Sequence, residues 1–145
     1  MKKYKNVLLA LELEPESDIK IMKKAKEIVE QFQCKLWLVH SVEHLNSYGA
    51  AYGVAAGIDV EGVLKTEAEQ LLDKIAGELN VPDSQCLIIE GPAKHVILAE
   101  ADKIKADLII VGSHGRHGVQ LLLGSTANAI LHGAKCDVLA VRVTD

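Results

Sequence analysis

The run Asp107-Leu108-Ile109-Ile110-Val111-Gly112-Ser113-His114-Gly115-Arg116-His117-Gly118, with Gly124-Ser125-Thr126 after it, reads as a buried strand that breaks into a glycine-rich turn and then into a fresh helix start. Glycine tolerates φ > 0 and lets backbone come close to a ligand. A helix N-terminus presents unpaired N–H groups to an anion. Together these make a candidate phosphate cradle. The plainer alternative is a left-handed glycine turn followed by an ordinary Ser/Thr N-cap. Three glycines within seven residues, Gly112, Gly115 and Gly118, exceed what such a turn needs. The turn follows a late strand rather than the first, which separates this chain from the commoner dinucleotide-binding folds.

Four further β-like runs surround this one, so that Val7–Leu13, Lys35–Val42, Cys86–Glu90, Leu108–Val111 and Val138–Val143 are the predicted strands. The first, fourth and fifth are nearly continuously apolar, as strands covered on both faces of a parallel sheet are. Helical stripes lie between them: Met22, Ala25, Ile28, Val29 and Phe32; Leu64, Ala68, Leu71, Leu72, Ile75 and Leu79; Ile97, Ala101 and Ile104; and a short one of Ala127, Ile130 and Leu131. The alternation predicts an α/β fold with a parallel sheet. Pro15 and Pro92 suit first helical turns, Gly133 suits a helix stop, and Ser17 and Asp18 add first-turn polarity. The Gly/Ala-rich stretch 44–58 has no clear period and reads as a flap over a ligand or a loose crossover.

The composition fits one globular domain over 1–145: 145 residues, 49% hydrophobic and 25% charged, with aromatics at 3%, so that aliphatic residues must fill the core. A net charge of −4 argues against a nucleic-acid-binding surface. No signal-peptide or membrane-spanning run is read, and the expected location is the cytoplasm. Cys34, Cys86 and Cys136 are odd in number and form no C-x-x-C pair, as structural free thiols in a reducing compartment would.

The first strand–helix turn, Ala10-Leu11-Glu12-Leu13-Glu14-Pro15-Glu16, has no glycine and carries three carboxylates, so a Rossmann fingerprint is absent, as is a Walker lysine. In a sheet ordered 3-2-1-4-5 the chain reverses between strands one and four and opens a crevice at their carboxyl ends. The turn Gly112–Gly118, the start Gly124-Ser125-Thr126 and Glu12 would border it. Phosphates would sit on the glycine turn and helix N-terminus and ribose hydroxyls on Glu12, with Arg116 and protonated His114 or His117 adding positive charge. His40 reads as a satisfied strand-end histidine. His95 and His132 have no companions at metal spacing, and Ser113 lacks the G-x-S-x-G frame. No catalytic residue and no metal site are assigned.

These residues together resemble the universal stress protein family across essentially the whole chain. The resemblance rests on Asn6-Val7-Leu8-Leu9-Ala10-Leu11-Glu12, Pro15-Glu16-Ser17, Leu38-Val39-His40, Glu90-Gly91-Pro92, Ala106-Asp107-Leu108-Ile109-Ile110-Val111-Gly112-Ser113-His114-Gly115, Leu122-Leu123-Gly124-Ser125-Thr126-Ala127 and Cys136-Asp137-Val138-Leu139-Ala140-Val141. It implies a five-stranded, adenine-nucleotide alpha-hydrolase-like α/β domain, homodimeric and cytoplasmic, from a family with ATP-binding and non-binding branches. The binding branch carries Gly, two residues, Gly, nine residues, then Gly-Ser or Gly-Thr. Here Gly112 and Gly115 fit, but eight residues separate Gly115 from Gly124. The strand-one aspartate is Glu12, and the small apolar residue that packs on adenine is Ser41.

The resemblance therefore implies a stress-response module that binds ATP, with Mg²⁺ accompanying the nucleotide, through Ala10, Glu12, Ser41, Val111, Gly112, Gly115, Arg116, Gly124, Ser125 and Thr126. At most it would hydrolyse ATP slowly, for want of a base. The alternative is a non-nucleotide-binding dimeric interaction module; an enzyme acting on a small phosphorylated substrate comes third. In the 3-2-1-4-5 order, Val138, Leu139, Ala140, Val141, Arg142 and Val143 form an edge without proline, whose pairing with its own copy would make the dimer.

Overall fold

Val7 to Ala10 send alternate side chains to opposite faces of a sheet, and both faces are covered, so the run is apolar at every position. The computed structural model describes residues 4–43, 60–113 and 124–143. In them, strands β1 (Asn6–Ala10), β2 (Lys35–Val42), β3 (Cys86–Glu90), β4 (Leu108–Ser113) and β5 (Asp137–Arg142) alternate with helices α1 (Pro15–Phe32), α2 (Val60–Leu79), α3 (Ala93–Ile104) and α4 (Ser125–Gly133), with a 3₁₀ turn at Asp83–Gln85. All neighbouring pairs are parallel, in the order β3-β2-β1-β4-β5. This is the fold class and strand order expected.

Two cores result. Val7, Leu9 and Leu11 join Leu36, Leu38, Leu108 and Ile110 under α1 and α2, through Ile21, Ala25, Leu72 and Ala76. Leu8 and Ala10 join Val39, Ile109 and Val111 under α3 and α4, through Val96, Ile97, Ala101, Ala127 and Ile130. Each fully buried Leu, Ile or Val contributes roughly 1.5–3 kcal/mol of transfer free energy. The helices differ from the sequence stripes in detail. Ile21, absent from the first stripe, is wholly buried, while Leu64, Leu71 and Leu131 are 36%, 42% and 43% exposed. Helix α2 buries the narrow row Ala68, Leu72 and Ala76 instead.

The predicted β1 end moves from Leu13 to Ala10. Leu11 N–H still donates to Val39 O at 2.9 Å, but Leu13 takes φ 64 and turns the chain into α1. Strand β4 runs on to Ser113, and β5 starts one residue earlier and ends one residue earlier than expected. Pro15 is in the first turn of α1, whereas Pro92 precedes α3 as its N-cap. Gly133 is the last helical residue rather than a left-handed stop: a Cβ there would lie 2.7 Å from Leu98 Cδ1, so the glycine serves close helix packing.

The N-terminal ends of the strands are tied together. Asp107 accepts the backbone N–H of Lys5 at 2.8 Å and of Asn6 at 3.1 Å, and its own N–H donates to Asn6 O at 2.9 Å. Asn6 Nδ2 donates to Ile104 O at 3.2 Å, and Tyr4 Oη donates to Asp137 at 2.7 Å, a bond that raises the tyrosine pKa. The motif residues Asn6, Asp107 and Asp137 thus hold the fold at the end away from the crevice.

Candidate functional site

Strands β1 and β4 are neighbours, but β1 leads into α1 on one face and β4 leads towards α4 on the other, so a crevice opens between them at their C-terminal ends. Its volume is about 400 Å³, within the range of small-molecule sites. Ala10, Val39 and Val111 from the strand ends, with Ile97 and Ala127 from the helices, give it an apolar base. Glu12, Glu14, His40, Ser41, Glu43, Gly112, Gly124, Ser125 and Thr126 stand around it.

Eight of the residues singled out from the sequence therefore line one cavity: Ala10, Glu12, Ser41, Val111, Gly112, Gly124, Ser125 and Thr126. Gly115 and Arg116, like His114, His117 and the stretch 44–58, lie outside the described residues. Gly112 has a different reason from the one its sequence context suggests. A Cβ at Gly112 would meet Ile21 Cδ1 at 2.9 Å and Val143 Cγ1 at 3.3 Å. The missing side chain lets α1 and β5 close on β4, while the backbone of Gly112 faces the crevice.

Two helices begin at the crevice, and they differ. Helix α3 has its first N–H, from Ala93, donating to Glu43 Oε1 at 3.2 Å, with Pro92 as its N-cap. Helix α4 starts after Gly124, at φ −59 and ψ 155, with no side-chain cap. Its first internal bond runs from Asn128 N–H to Gly124 O at 2.9 Å, so the N–H groups of Ser125, Thr126 and Ala127 have no acceptor within the helix. The expected Ser/Thr cap is thus a glycine cap, with Ser125 and Thr126 inside the first turn. Among the described residues these first amides of α4 have no acceptor, while that of Ala93 is engaged.

His40 is satisfied as its strand-end position suggested: Nδ1–H donates to Leu11 O at 2.8 Å, which leaves Nε2 as the other ring nitrogen. Gly91 takes φ 136 in the turn from β3 to α3, where its N–H donates to Val42 O at 3.0 Å. All three cysteines are free, and burial raises the thiol pKa of Cys34 and Cys86, which makes them poor nucleophiles. Among the described residues no three His, Cys, Asp or Glu side chains converge on a metal position, and no helix is long and apolar enough to cross a membrane.

The sequence suggests first-turn polarity for Ser17 and Asp18, but both are buried, at 6% and 2% exposure. Ser17 Oγ donates to Glu14 O at 3.3 Å, and Asp18 Oδ1 accepts the Glu12 N–H at 3.3 Å. Asp18 fastens the turn that carries Glu12 and Glu14 into the crevice. Burial pushes its carboxyl up to about 6. Spacing alone gave no sign of this, since a polar residue in a first helical turn is ordinarily solvated.

The open-sheet architecture with a crevice at the strand reversal defines the class of α/β proteins that take ligands at a topological switch point. The chain belongs to the universal stress protein family, whose model matches residues 3–142. It is 57% identical over 143 residues to the universal stress protein A homolog 2 of Coxiella burnetii, covering 99% of this chain and 98% of that one. Solved structures share the fold. A hypothetical protein, MJ0577, whose biochemical function was assigned from its structure, superposes with a TM-score of 0.79 at 22% identity over 99% of both chains. A universal stress protein in complex with cAMP superposes with a TM-score of 0.67 at 20% identity over 99% of this chain and all of that one.

Proposed function

We propose that this protein is a cytoplasmic, homodimeric stress-response module that binds an adenine nucleotide, ATP with Mg²⁺ foremost, in the crevice between β1 and β4. The observation that carries this reading is the N-terminus of α4, without a side-chain cap among the described residues, at a crevice of nucleotide-accommodating size with an apolar base. The phosphates would take the amides of Ser125, Thr126 and Ala127, and the backbone of Gly112. Gly115 and Arg116 would complete the anion contacts. The base would lie against Val39, Ile97 and Ser41, and the ribose hydroxyls would donate to Glu12. The protein in complex with cAMP shows that a relative of this fold takes an adenine nucleotide.

The three free cysteines fit a reducing compartment. The dimer would form through β5, which is an edge of the sheet, with Val138, Leu139, Ala140 and Val141 half-buried and Arg142 exposed. A second reading, a dimeric interaction module without nucleotide, is favoured by Ser41 and by the eight-residue spacing from Gly115 to Gly124. Denaturing the purified protein and analysing the supernatant by mass spectrometry separates the two. ATP, ADP or AMP should be released, and added nucleotide at a hundredfold excess over Kd should stabilise the fold by about 2.7 kcal/mol. No released nucleotide and no thermal shift would leave the interaction module standing.

A further inference from the structure

Among the described residues two buried side-chain polar atoms lack a hydrogen-bond partner, Asp18 Oδ2 and Trp37 Nε1. The Trp37 ring lies under the Lys35 ammonium, 4.8 Å from its centroid, away from the crevice. Asp18 adjoins it. The residue is 2% exposed, Oδ1 accepts the Glu12 N–H at 3.3 Å, and Oδ2 has no partner among the described residues. Loss of solvation costs an ionised carboxylate more than a neutral carboxyl, and an oxygen with no donor beside it leaves that charge uncompensated, so the burial favours the protonated form.

The surroundings act in the same direction. Glu12 and Glu14, on the same turn, both oppose ionisation, and both line the crevice. Among the described residues the strands packed on α1 bring no compensating cation. Strand β4 carries no charged residue. On β5, Asp137 is bound by Tyr4 at the opposite end of the sheet. Arg142 alternates with Val141 and Val143, which share the core of α1, so its side chain leaves from the other face. The Glu12 N–H bond and the neighbouring Leu13 backbone work against desolvation without overcoming it.

We propose that Asp18 is the proton-linked residue of this crevice: when an anionic ligand settles beside Glu12 and Glu14, Asp18 takes up a proton from solvent, and the site binds such ligands more tightly in acid than at neutral pH. This rests on the crevice being a ligand site for anions, as in the nucleotide reading. The sign follows from linkage. A bound negative charge raises the pKa of a nearby carboxyl, and whatever raises that pKa on binding must bind the protonated form better. Asp18 touches no ligand and acts by charge and through the Glu12 backbone, as a positioning residue.

The test is carboxyl NMR on the full chain, labelled at Asp and Glu, with two probes whose charge is constant between about pH 5 and pH 8: cyclic AMP and inorganic sulfate. One carboxyl should titrate near 6 in the free protein and be missing from Asp18→Asn. Saturating ligand should move its midpoint upward by about 0.7 units, and the weakening of affinity between about pH 5 and about pH 7.5 should be about fourfold to fivefold smaller in Asp18→Asn than in the wild type, His40 at the crevice being common to both. A midpoint below about 4.5, one unmoved by bound ligand, or a variant that keeps the wild-type pH profile would overturn the proposal. If sulfate moves Asp18 while cyclic AMP does not bind, the proton linkage stands and the nucleotide reading falls. If cyclic AMP binds and Asp18 stays put, the reverse holds. If neither probe binds, both fall.

Discussion

The two ends of the sheet use the same side chain to opposite effect. At the N-terminal end Asp107 accepts two backbone N–H groups, from Lys5 and Asn6, and closes β1 on β4. At the C-terminal end Asp18 holds one N–H at 3.3 Å, and its other oxygen is buried without a partner among the described residues. The first end is satisfied and shut. The second keeps open helix amides, a cluster of glutamates and a carboxyl whose ionisation the fold resists. Satisfied side-chain to backbone bonds tie the strands where they begin, and the groups that suit a ligand are gathered where they end. A site built on unsatisfied groups needs such an anchor, because each buried orphan costs about 1–3 kcal/mol.

Substitutions at the two ends should therefore part company. Asp107→Ala should cost about 3 kcal/mol by freeing two backbone donors from an ionised acceptor, and lower Tm by roughly 6–9 °C, while leaving nucleotide affinity within twofold. Calorimetry and a ligand titration check both halves. Asp18→Asn should do the opposite in a pH-dependent way. The folded carboxyl titrates near 6, against 3.8 as the ordinary value, so the folded state keeps its proton between those limits. Wild-type stability from this group is then present at low pH and is lost as pH rises through about 6. The stability of Asp18→Asn relative to wild type should grow by about 2 kcal/mol from about pH 4 to pH 7.5, read from denaturant midpoints. A flat difference would mean that the carboxyl is solvated after all.

The β5 edge gives the smallest effect. Val143 N–H donates inward to Ser113 O at 3.3 Å, so by the alternation of a parallel strand the N–H of Val141 also faces β4, and those of Ala140 and Arg142 face outward. Ala140→Pro removes an outward donor without touching the β4 ladder. It should weaken the proposed dimer about tenfold, about 1.4 kcal/mol, in sedimentation at unchanged circular dichroism. A wild type that sediments as a monomer at all concentrations would remove β5 as an interface.

The sheet was legible because strands buried on both faces must be apolar at every position, and Val7–Leu9 and Leu108–Val111 meet that demand without a polar residue. The crevice was legible through Gly112, Gly124, Ser125 and Glu12, whose residue types announce a turn, a helix start and an acid. Asp18 was not, because nothing in Glu16-Ser17-Asp18 distinguishes a solvated first turn from one folded inward by Leu13 at φ 64. Ile21, by contrast, stands at i, i+4 and i+7 with Ala25 and Ile28, so its place on the buried face was open to the period, while its contact with Gly112, some ninety positions away, was not. The role of Glu43 on the Ala93 amide is equally remote in sequence.

The central claim, that the open amides of α4 bind the phosphates of an adenine nucleotide, is tested most directly by titrating ATP with Mg²⁺ into the wild type and Ser125→Pro, with Ser125→Ala as the side-chain control. Proline is at home in the first helical position, and the extended Gly124 at φ −59 and ψ 155 suits the residue before it, so the fold should be kept while one amide donor is lost. The wild type should bind one nucleotide per chain, Ser125→Ala within about twofold of it, and Ser125→Pro at least about tenfold more weakly, a loss of about 1.4 kcal/mol. Equal affinity in the wild type and Ser125→Pro, or no binding in the wild type, would contradict it.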